Sequence, residues 1–345
     1  MSLSMPMDQP DILTIPPSMP MDSESVLQRA VVRAAELHEE KSYGSGIYTR
    51  VFHLGDYDDS DASYHHLSVK YNDQGTTKAE MAALKFLYAL ACKDGDAAPL
   101  VPQVVHSFYC PHGLGYIVMK RIELRTVPDH ELYAKAAEAV LWLRAQRPPP
   151  MEVFGSLGAS YARHAVFKYF EAPLKFTGVA AVQRYFNTVV NRVRILRRGT
   201  LKIADVFFEG EEIVLTQSDM APSNFGVSSD GRAVIFDAAT IQALPVTLAD
   251  FTLLRTTPFA TAVSKHVFGD ERAMRLASPN LASLAEVRRL LFMAADATFG
   301  VDEDGNTGPT VGIVPESPSA VTHLVTVCEP ARSGPRKASS QTAKL

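Results

Sequence analysis

Apolar residues recur at three- and four-residue intervals from Glu24, at Val26, Leu27, Ala30, Val31, Ala34 and Leu37, which predicts an amphipathic helix. The period then changes. A Gly-containing turn, YGSGIYT, leads into a strand-like run over residues 48–54, and the polar loop GDYDDSDAS separates it from a second strand in YHHLSVKY. In HLSVKY the residues alternate, so Ser68 and Lys70 share one face and Leu67 and Val69 the other. A helix is expected over residues 77–92, then a buried strand in GYIVM at 115–119. From there the chain reads as mainly helical. ELYAKAAEAVLWLRAQ stops at Pro148, Pro149 and Pro150, a second helix covers residues 179–197, and others follow Leu248 and Ala282. One short β-rich insert interrupts them, EEIVL and then FGVSSDGRAVIFDA, with SSDGR as its hairpin turn. Residues 1–23, with SMPMD repeated, read as a disordered arm, and EPARSGPRKASSQTAKL as a flexible basic tail.

Composition narrows the function classes. A chain of 345 residues, 46% hydrophobic and 21% charged, can bury one large core or two lobes. A net charge of -4 gives no general attraction to phosphate backbones or anionic lipid, so neither nucleic acid nor membrane is an expected partner. Cys92, Cys110 and Cys328 are too few and too dispersed for a disulfide framework or a zinc cluster, which favours a reducing compartment. No apolar run approaches the roughly 20 residues of a membrane helix, and no leader pattern opens the chain. A soluble cytoplasmic protein is expected. The final Ala343-Lys344-Leu345 resembles the peroxisomal address Ser-Lys-Leu, which supplies an alternative location.

Candidate chemistry concentrates in TQSDMAPSN, residues 216–224. Asp219 and Asn224 flank Pro222, which stiffens the loop by fixing φ, and Asp237 ends the strand AVIFD. Asp and Asn beside a proline also cap turns, so the spacing alone has a purely structural explanation. The upstream residues change the balance. A β-rich lobe with a lysine strand, then a helical lobe carrying D-x-x-x-x-N and a strand ending in Asp, resembles the aminoglycoside phosphotransferase and choline-kinase group of the protein-kinase-like superfamily. It is most similar to a fungal branch of uncharacterised members, in which TQSDMxPxNFGV stands where relatives have H-G-D-x-x-x-x-N. The segment FGSLGASYARHAVFKYFEAPLKF, residues 154–176, also resembles that branch. The likeness spans residues 40–250.

The resemblance implies an α+β, bilobal protein-kinase-like fold, with a small β-rich N-lobe at residues 24–122 and a larger, mainly helical C-lobe at 123–328. It implies an ATP- and Mg²⁺-dependent phosphotransferase acting on a hydroxyl of a small molecule. Such a reaction asks for positioning and charge compensation more than covalent help. Asp219 suits the orientation and deprotonation of the hydroxyl, while Asn224 and Asp237 offer oxygens to Mg²⁺. On the family pattern Lys70 contacts the α- and β-phosphates and Ser68 lines the adenine pocket. Glu80, on a stripe with Leu84, Leu87 and Ala91, is the candidate partner of Lys70, although it also reads as the end of an amphipathic face. Gly44 and Gly46 would admit phosphates to backbone N–H groups, or mark an ordinary tight turn. Met119, Lys120 and Arg121 would form an adenine-binding hinge, or a plain buried strand end.

Two departures carry a second reading. Gln217-Ser218 replaces His-Gly before Asp219, and Ala238-Ala239 follows Asp237 where relatives carry an aromatic or glycine and further acids. Glutamine keeps both a donor and an acceptor, as neutral imidazole does, so the brace can survive. The alternative is a catalytically impaired, nucleotide-binding pseudokinase acting as scaffold or regulator; a kinase-like fold that binds no nucleotide is a third. His65 and His66 point to opposite faces of a strand, Trp142 belongs to the core, and the acids from Asp56 to Asp61 form a solvated loop.

Overall fold

The computed structural model describes residues 21–45, 50–57, 62–198, 200 and 202–308. Two compact units are present, Met1–Asn306 and Thr307–Leu345, and every helix and strand below lies in the first. The amino-terminal arm before residue 21, Gly46, the acids Asp58, Asp59 and Asp61, Cys328 and the terminal tripeptide lie outside the described residues.

The first amphipathic stripe forms α1 (Met21–Ser45), which extends through Gly44. The first residues of the glycine turn expected at 43–49 are thus helical, as glycine is tolerated in a final helical turn, and residues 46–49 lie outside the described residues. Strands β1 (Val51–His53) and β2 (Leu67–Asp73) follow, then α2 (Gln74–Asp94), β3 (Val104–Tyr109) and β4 (Leu114–Lys120). They build one antiparallel sheet in the order β1-β2-β4-β3. Period-two alternation sorts its side chains. Leu67, Val69, Tyr71, Tyr116 and Val118 face Leu27, Val31, Ala34 and Ala35 of α1, whereas Ile117 and Met119 join Ala83, Leu84 and Leu87 of α2 in another core. Lys70 pairs across the sheet with Ile117, and so lies on the α2 side. Helix α2 starts at a side-chain cap, with Asp73 accepting from the Thr76 amide at 2.9 Å.

The remainder contains α3 (Asp129–Ala145), β5 (Gly155–Ser156), α4 (Val179–Leu196), β6 (Ile213–Gln217), β7 (Phe225–Val227), β8 (Ala233–Ile235) and β9 (Ile241–Pro245). Four helices close it: α5 (Val246–Leu253), α6 (Pro258–Phe268), α7 (Arg272–Leu276) and α8 (Pro279–Met293). The architecture is thus the α+β, two-lobed one that the sequence predicts, with a small β-rich part and a larger helical part. Strands β7 and β8 form the hairpin expected around SSDGR. Strand β9, between β5 and β6, is not apparent in the sequence, because all five of its residues are buried and no alternation marks them. Trp142 is buried as expected, its Nε1 donating to Asp94 Oδ2 at 2.9 Å. No helix among the described residues is long and apolar enough to cross a membrane.

A buried junction holds α5 in the helical part. His164 is fully buried; its Nδ1 accepts from the Val166 amide at 3.1 Å, and its Nε2 lies 3.0 Å from the Leu248 carbonyl and 2.7 Å from the Thr252 hydroxyl. A proton on Nδ1 would set one N–H against another, and burial lowers the His164 pKa from 6.5 to about 4. The unfolded chain therefore binds a proton that the folded chain rejects across this interval, so stability falls as pH drops from 6.5 towards 4, by about 3 kcal/mol in total from this group. Urea unfolding of wild type and His164→Asn over that range should show the excess pH dependence in wild type alone. Equal slopes for both proteins would contradict the assignment.

Candidate active site

Five of the residues singled out in the sequence meet in one place. Lys70 Nζ donates to Glu80 Oε1 at 2.6 Å and also to Asp237 Oδ1. Glu80 is 2% exposed, a burial that is tolerable for a carboxylate only with a partner. Burial works to lower the Lys70 pKa, but the carboxylates of Glu80 and Asp237 outweigh it, and the ammonium is held above its ordinary value. It remains charged throughout the physiological range. The interaction joins β2 and the helix α2 that directly follows it to the residues after β8, far away in the chain.

Asp237 adopts the left-handed conformation, with φ 50° and ψ 59°. Few non-glycine residues do so, and Asp is among the more tolerant. Its surroundings hold it there. Thr240 Oγ1 donates to the Asp237 carbonyl at 2.9 Å and lies 3.1 Å from Oδ2, and Gln217 Nε2 donates to the carbonyls of Phe236 at 3.2 Å and Asp237 at 3.4 Å. Gln217 also accepts, through Oε1, from the Asp219 amide at 3.2 Å and from the Thr240 hydroxyl. One glutamine thus ties the Asp219 loop to the Asp237 turn, the brace that its donor and acceptor capacity allows. Ser218 is fully buried, and its hydroxyl has no hydrogen-bond partner among the described residues.

The Asp219 loop closes on itself. Asn224 Nδ2 donates to the Asp219 carbonyl at 2.9 Å and to Oδ2 at 3.1 Å, while the Asn224 carbonyl accepts from the Phe236 amide at 2.9 Å. The third bond sets Asn224 beside the residue preceding Asp237. With the amide nitrogen engaged, Asn224 Oδ1 has only a 3.5 Å contact from Ser223 Oγ and is left as an oxygen donor. Burial pushes the Asp219 carboxyl up; the nearby Asp237 charge adds to this, and Asn224 and Arg255 pull against it, leaving the carboxyl above the usual range. No cluster of three or more His, Cys, Asp or Glu able to hold a metal occurs among the described residues. A cation here would rest on Asn224 Oδ1, Asp237 and oxygens of its own ligand, a hard-oxygen set that suits Mg²⁺.

The remaining expected residues are placed as follows. Ser68 and Met119 are register partners on β2 and β4, and the Ser68 hydroxyl bonds His53 Nδ1 at 2.9 Å. The amides of Lys120 and Arg121 donate to Gln103 O at 2.9 Å and His66 O at 2.8 Å, so these two donors are already engaged. Gly44 lies in the last turn of α1.

Three residues near the site were not apparent in the sequence. Gly158 approaches α2 so closely that an added Cβ would stand 2.4 Å from Ala79 Cα and 2.8 Å from Ala79 O. Arg163 donates to Thr76 Oγ1 at 2.8 Å, and its amide donates to Gln242 Oε1 at 3.2 Å. Since β5 pairs with β9, the stretch 155–163 forms a strut from the strand after Asp237 to the helix turn that carries Glu80. Arg255, the third, acts on the Asp219 carboxyl through its positive charge.

No family model matches the sequence, and no curated protein matches it. Solved structures do. A thermostable variant of aminoglycoside phosphotransferase APH(4)-Ia in ternary complex with AMP-PNP and hygromycin B is 12% identical, with a TM-score of 0.41 over 65% of this chain and 77% of that one. A putative fructosamine-3-kinase from Haemophilus somnus is also 12% identical, with a TM-score of 0.40 over 66% and 75%. The GDP and kanamycin complex of APH(2")-IIIa is 14% identical, with a TM-score of 0.40 over 65% and 79%. At these scores the likeness assigns no chemistry to this chain.

The strut makes a prediction. Gly158→Ala should force α2 to shift, destabilising the protein by roughly 1 to 3 kcal/mol, as overpacking does, and speeding amide hydrogen exchange at residues 76–83. Unaltered exchange in α2 would show that the segment does not position the helix.

Proposed function

We propose that the chain is a phosphotransferase that moves the terminal phosphoryl group of ATP, accompanied by Mg²⁺, to a hydroxyl of a small molecule. The observation that carries this reading is the convergence of the Lys70 ammonium with Asp237, beside a loop whose two ends are Asp219 and Asn224. A turn-capping role explains Asp219 and Asn224 alone, but not a half-exposed acid in left-handed backbone paired to a lysine on the sheet.

On this reading Lys70 compensates phosphate charge, and Glu80 keeps its ammonium in place. Mg²⁺, held by Asn224 Oδ1 and Asp237, would neutralise charge on the phosphates. Asp219 accepts a hydrogen bond from the acceptor hydroxyl, aims its oxygen at the γ-phosphorus and takes the proton as the new P–O bond forms and the bond to ADP breaks. Asn224 fixes the carboxylate for that task, donating to Oδ2 at 3.1 Å. Residues 24–122 would supply the nucleotide-facing lobe and the residues that follow the acceptor-facing one. Gln217 supports catalysis over the pseudokinase reading: it replaces the missing imidazole as a link between both halves of the site.

Asp219→Asn should reduce turnover by about 10²- to 10⁴-fold, the usual contribution of a positioned base, while Mg-ATP affinity stays within about twofold, since the change touches the acceptor side. The pH profile provides a second check. A base whose pKa is raised loses its ionised form at higher pH as acid is added, so the acidic limb of kcat/KM should lie above that of an ordinary carboxylate. Asn224→Ala removes a hydrogen bond that favours the ionised form and should move the limb further up. Full turnover in Asp219→Asn, with a hydroxyl compound that wild type phosphorylates, would defeat the role given to Asp219; Mg-ATP binding without transfer to any such compound would favour the pseudokinase.

A further inference from the structure

Left-handed backbone is uncommon for residues other than glycine, and in this chain it clusters. Besides Asp237 and Arg198, four non-glycine residues among the described ones adopt it: Ala159 (φ 54°), Tyr169 (φ 56°), Phe170 (φ 66°) and Phe299 (φ 54°). One cavity of about 420 Å³ connects them. Its lining includes Tyr161, Lys168, Tyr169 and Glu171 on one side and Ala295 and Ala297 on the other, and each of the four residues either lines it or stands within two positions of one that does. The volume falls in the range of small-molecule sites, about 300–1,000 Å³.

Tyr169 is the most informative of the four. Its conformation is disfavoured for any residue with a Cβ, and Phe170 repeats it at the next position. Burial of the side chain would offset this, but Tyr169 is 83% exposed. Glycine would take the same backbone freely, so the fold alone does not call for tyrosine here. Strain that packing does not repay points to a ligand. Both walls are held in place. The Ala172 amide donates to the Ala162 carbonyl at 2.8 Å, the His164 amide to the Phe170 carbonyl at 3.1 Å, and Glu171 pairs with Arg163 at 3.6 Å. Opposite them, the buried Tyr185 donates its hydroxyl to the Ala297 carbonyl at 2.7 Å, and Lys168 Nζ donates across to the Ala294 carbonyl at 2.5 Å.

The lining also indicates what would bind. Tyrosine rings recognise a flat unsaturated ring by stacking and edge contacts. Lys168 Nζ stands 5.2 Å from the centre of the Tyr169 ring and Lys175 Nζ 5.3 Å from that of Tyr161, so an ammonium accompanies each ring. Glu171, the one carboxylate of the lining, is already paired with Arg163. The cavity is therefore suited to negative charge. We propose that it binds a small aromatic anion, the ring of the ligand against Tyr161 and Tyr169 and its carboxylate at Lys168. The site shares no residue with the candidate active site and does not depend on the phosphotransferase reading.

The test is calorimetric titration of the full-length protein with three probes: 2-naphthoate, cyclohexanecarboxylate and (2-naphthylmethyl)trimethylammonium. Wild type should bind 2-naphthoate, and should bind the non-aromatic acid and the aromatic cation about tenfold more weakly, the scale of an aromatic pair or of one charge contact. Tyr169→Gly removes the ring and relieves the backbone together. It should weaken 2-naphthoate about tenfold while the melting temperature stays level or rises. Lys168→Met should erase the preference for the anion over the cation. Failure of 2-naphthoate to bind, equal binding of cyclohexanecarboxylate, a preference for the cation, or undiminished 2-naphthoate affinity in Tyr169→Gly would each overturn the proposal. So would a lowered melting temperature in Tyr169→Gly, which would show that the ring serves the fold, or an unaltered charge preference in Lys168→Met.

Discussion

One ammonium group between two carboxylates organises this molecule. Lys70 comes from the middle of a four-stranded sheet, Glu80 from the helix over it, and Asp237 from the turn after a distant hairpin. Buried ion pairs of this kind contribute little net stability, because desolvation offsets much of the attraction. Their effect is geometric: each partner is strongly disfavoured without the others, so the sheet, the helix and the hairpin turn are held in one arrangement. Strain at Asp237 is tolerated because Thr240 and Gln217 hold its backbone from both sides.

The site has a second layer of support that acts through backbone contacts. The strut at residues 155–163 links β9 to α2 at Ala79 and Thr76, on either side of the turn that leads to Glu80. Gln217 performs the analogous link between the Asp219 loop and the Asp237 turn. Charged residues supply the chemistry in this account, and the uncharged Gly158 and Gln217 maintain their spacing.

What the sequence reveals follows from how local each signal is. Glu80 is legible because a charge on an apolar stripe demands a partner, and Lys70, Asp219, Asn224 and Asp237 because they match a known pattern. The helices at α2, α3 and α4 emerge from their 3.6-residue period, and the β7–β8 hairpin from its turn. Strand β9 stays hidden because it is buried on both faces, and its residues IQALP carry no period. Gly158 and Arg163 are invisible for another reason: their partners Ala79 and Thr76 lie far away in the chain, and only the folded contact gives them meaning. Arg255 likewise belongs to no motif; its charge bears on Asp219 only in the folded chain. Gly44 carries no decisive signal, since it fits a helix end as readily as a phosphate loop.

The central claim is that Lys70 and Asp237 act as one unit towards a Mg²⁺-bound triphosphate. A double-mutant cycle on Mg-AMP-PNP affinity addresses it directly, using Lys70→Met, Asp237→Asn and the double variant. The account predicts that each single change weakens binding and that the double change weakens it by clearly less than the product of the two, since the groups share one ligand. Strictly independent effects, or wild-type affinity in both single variants, would contradict it.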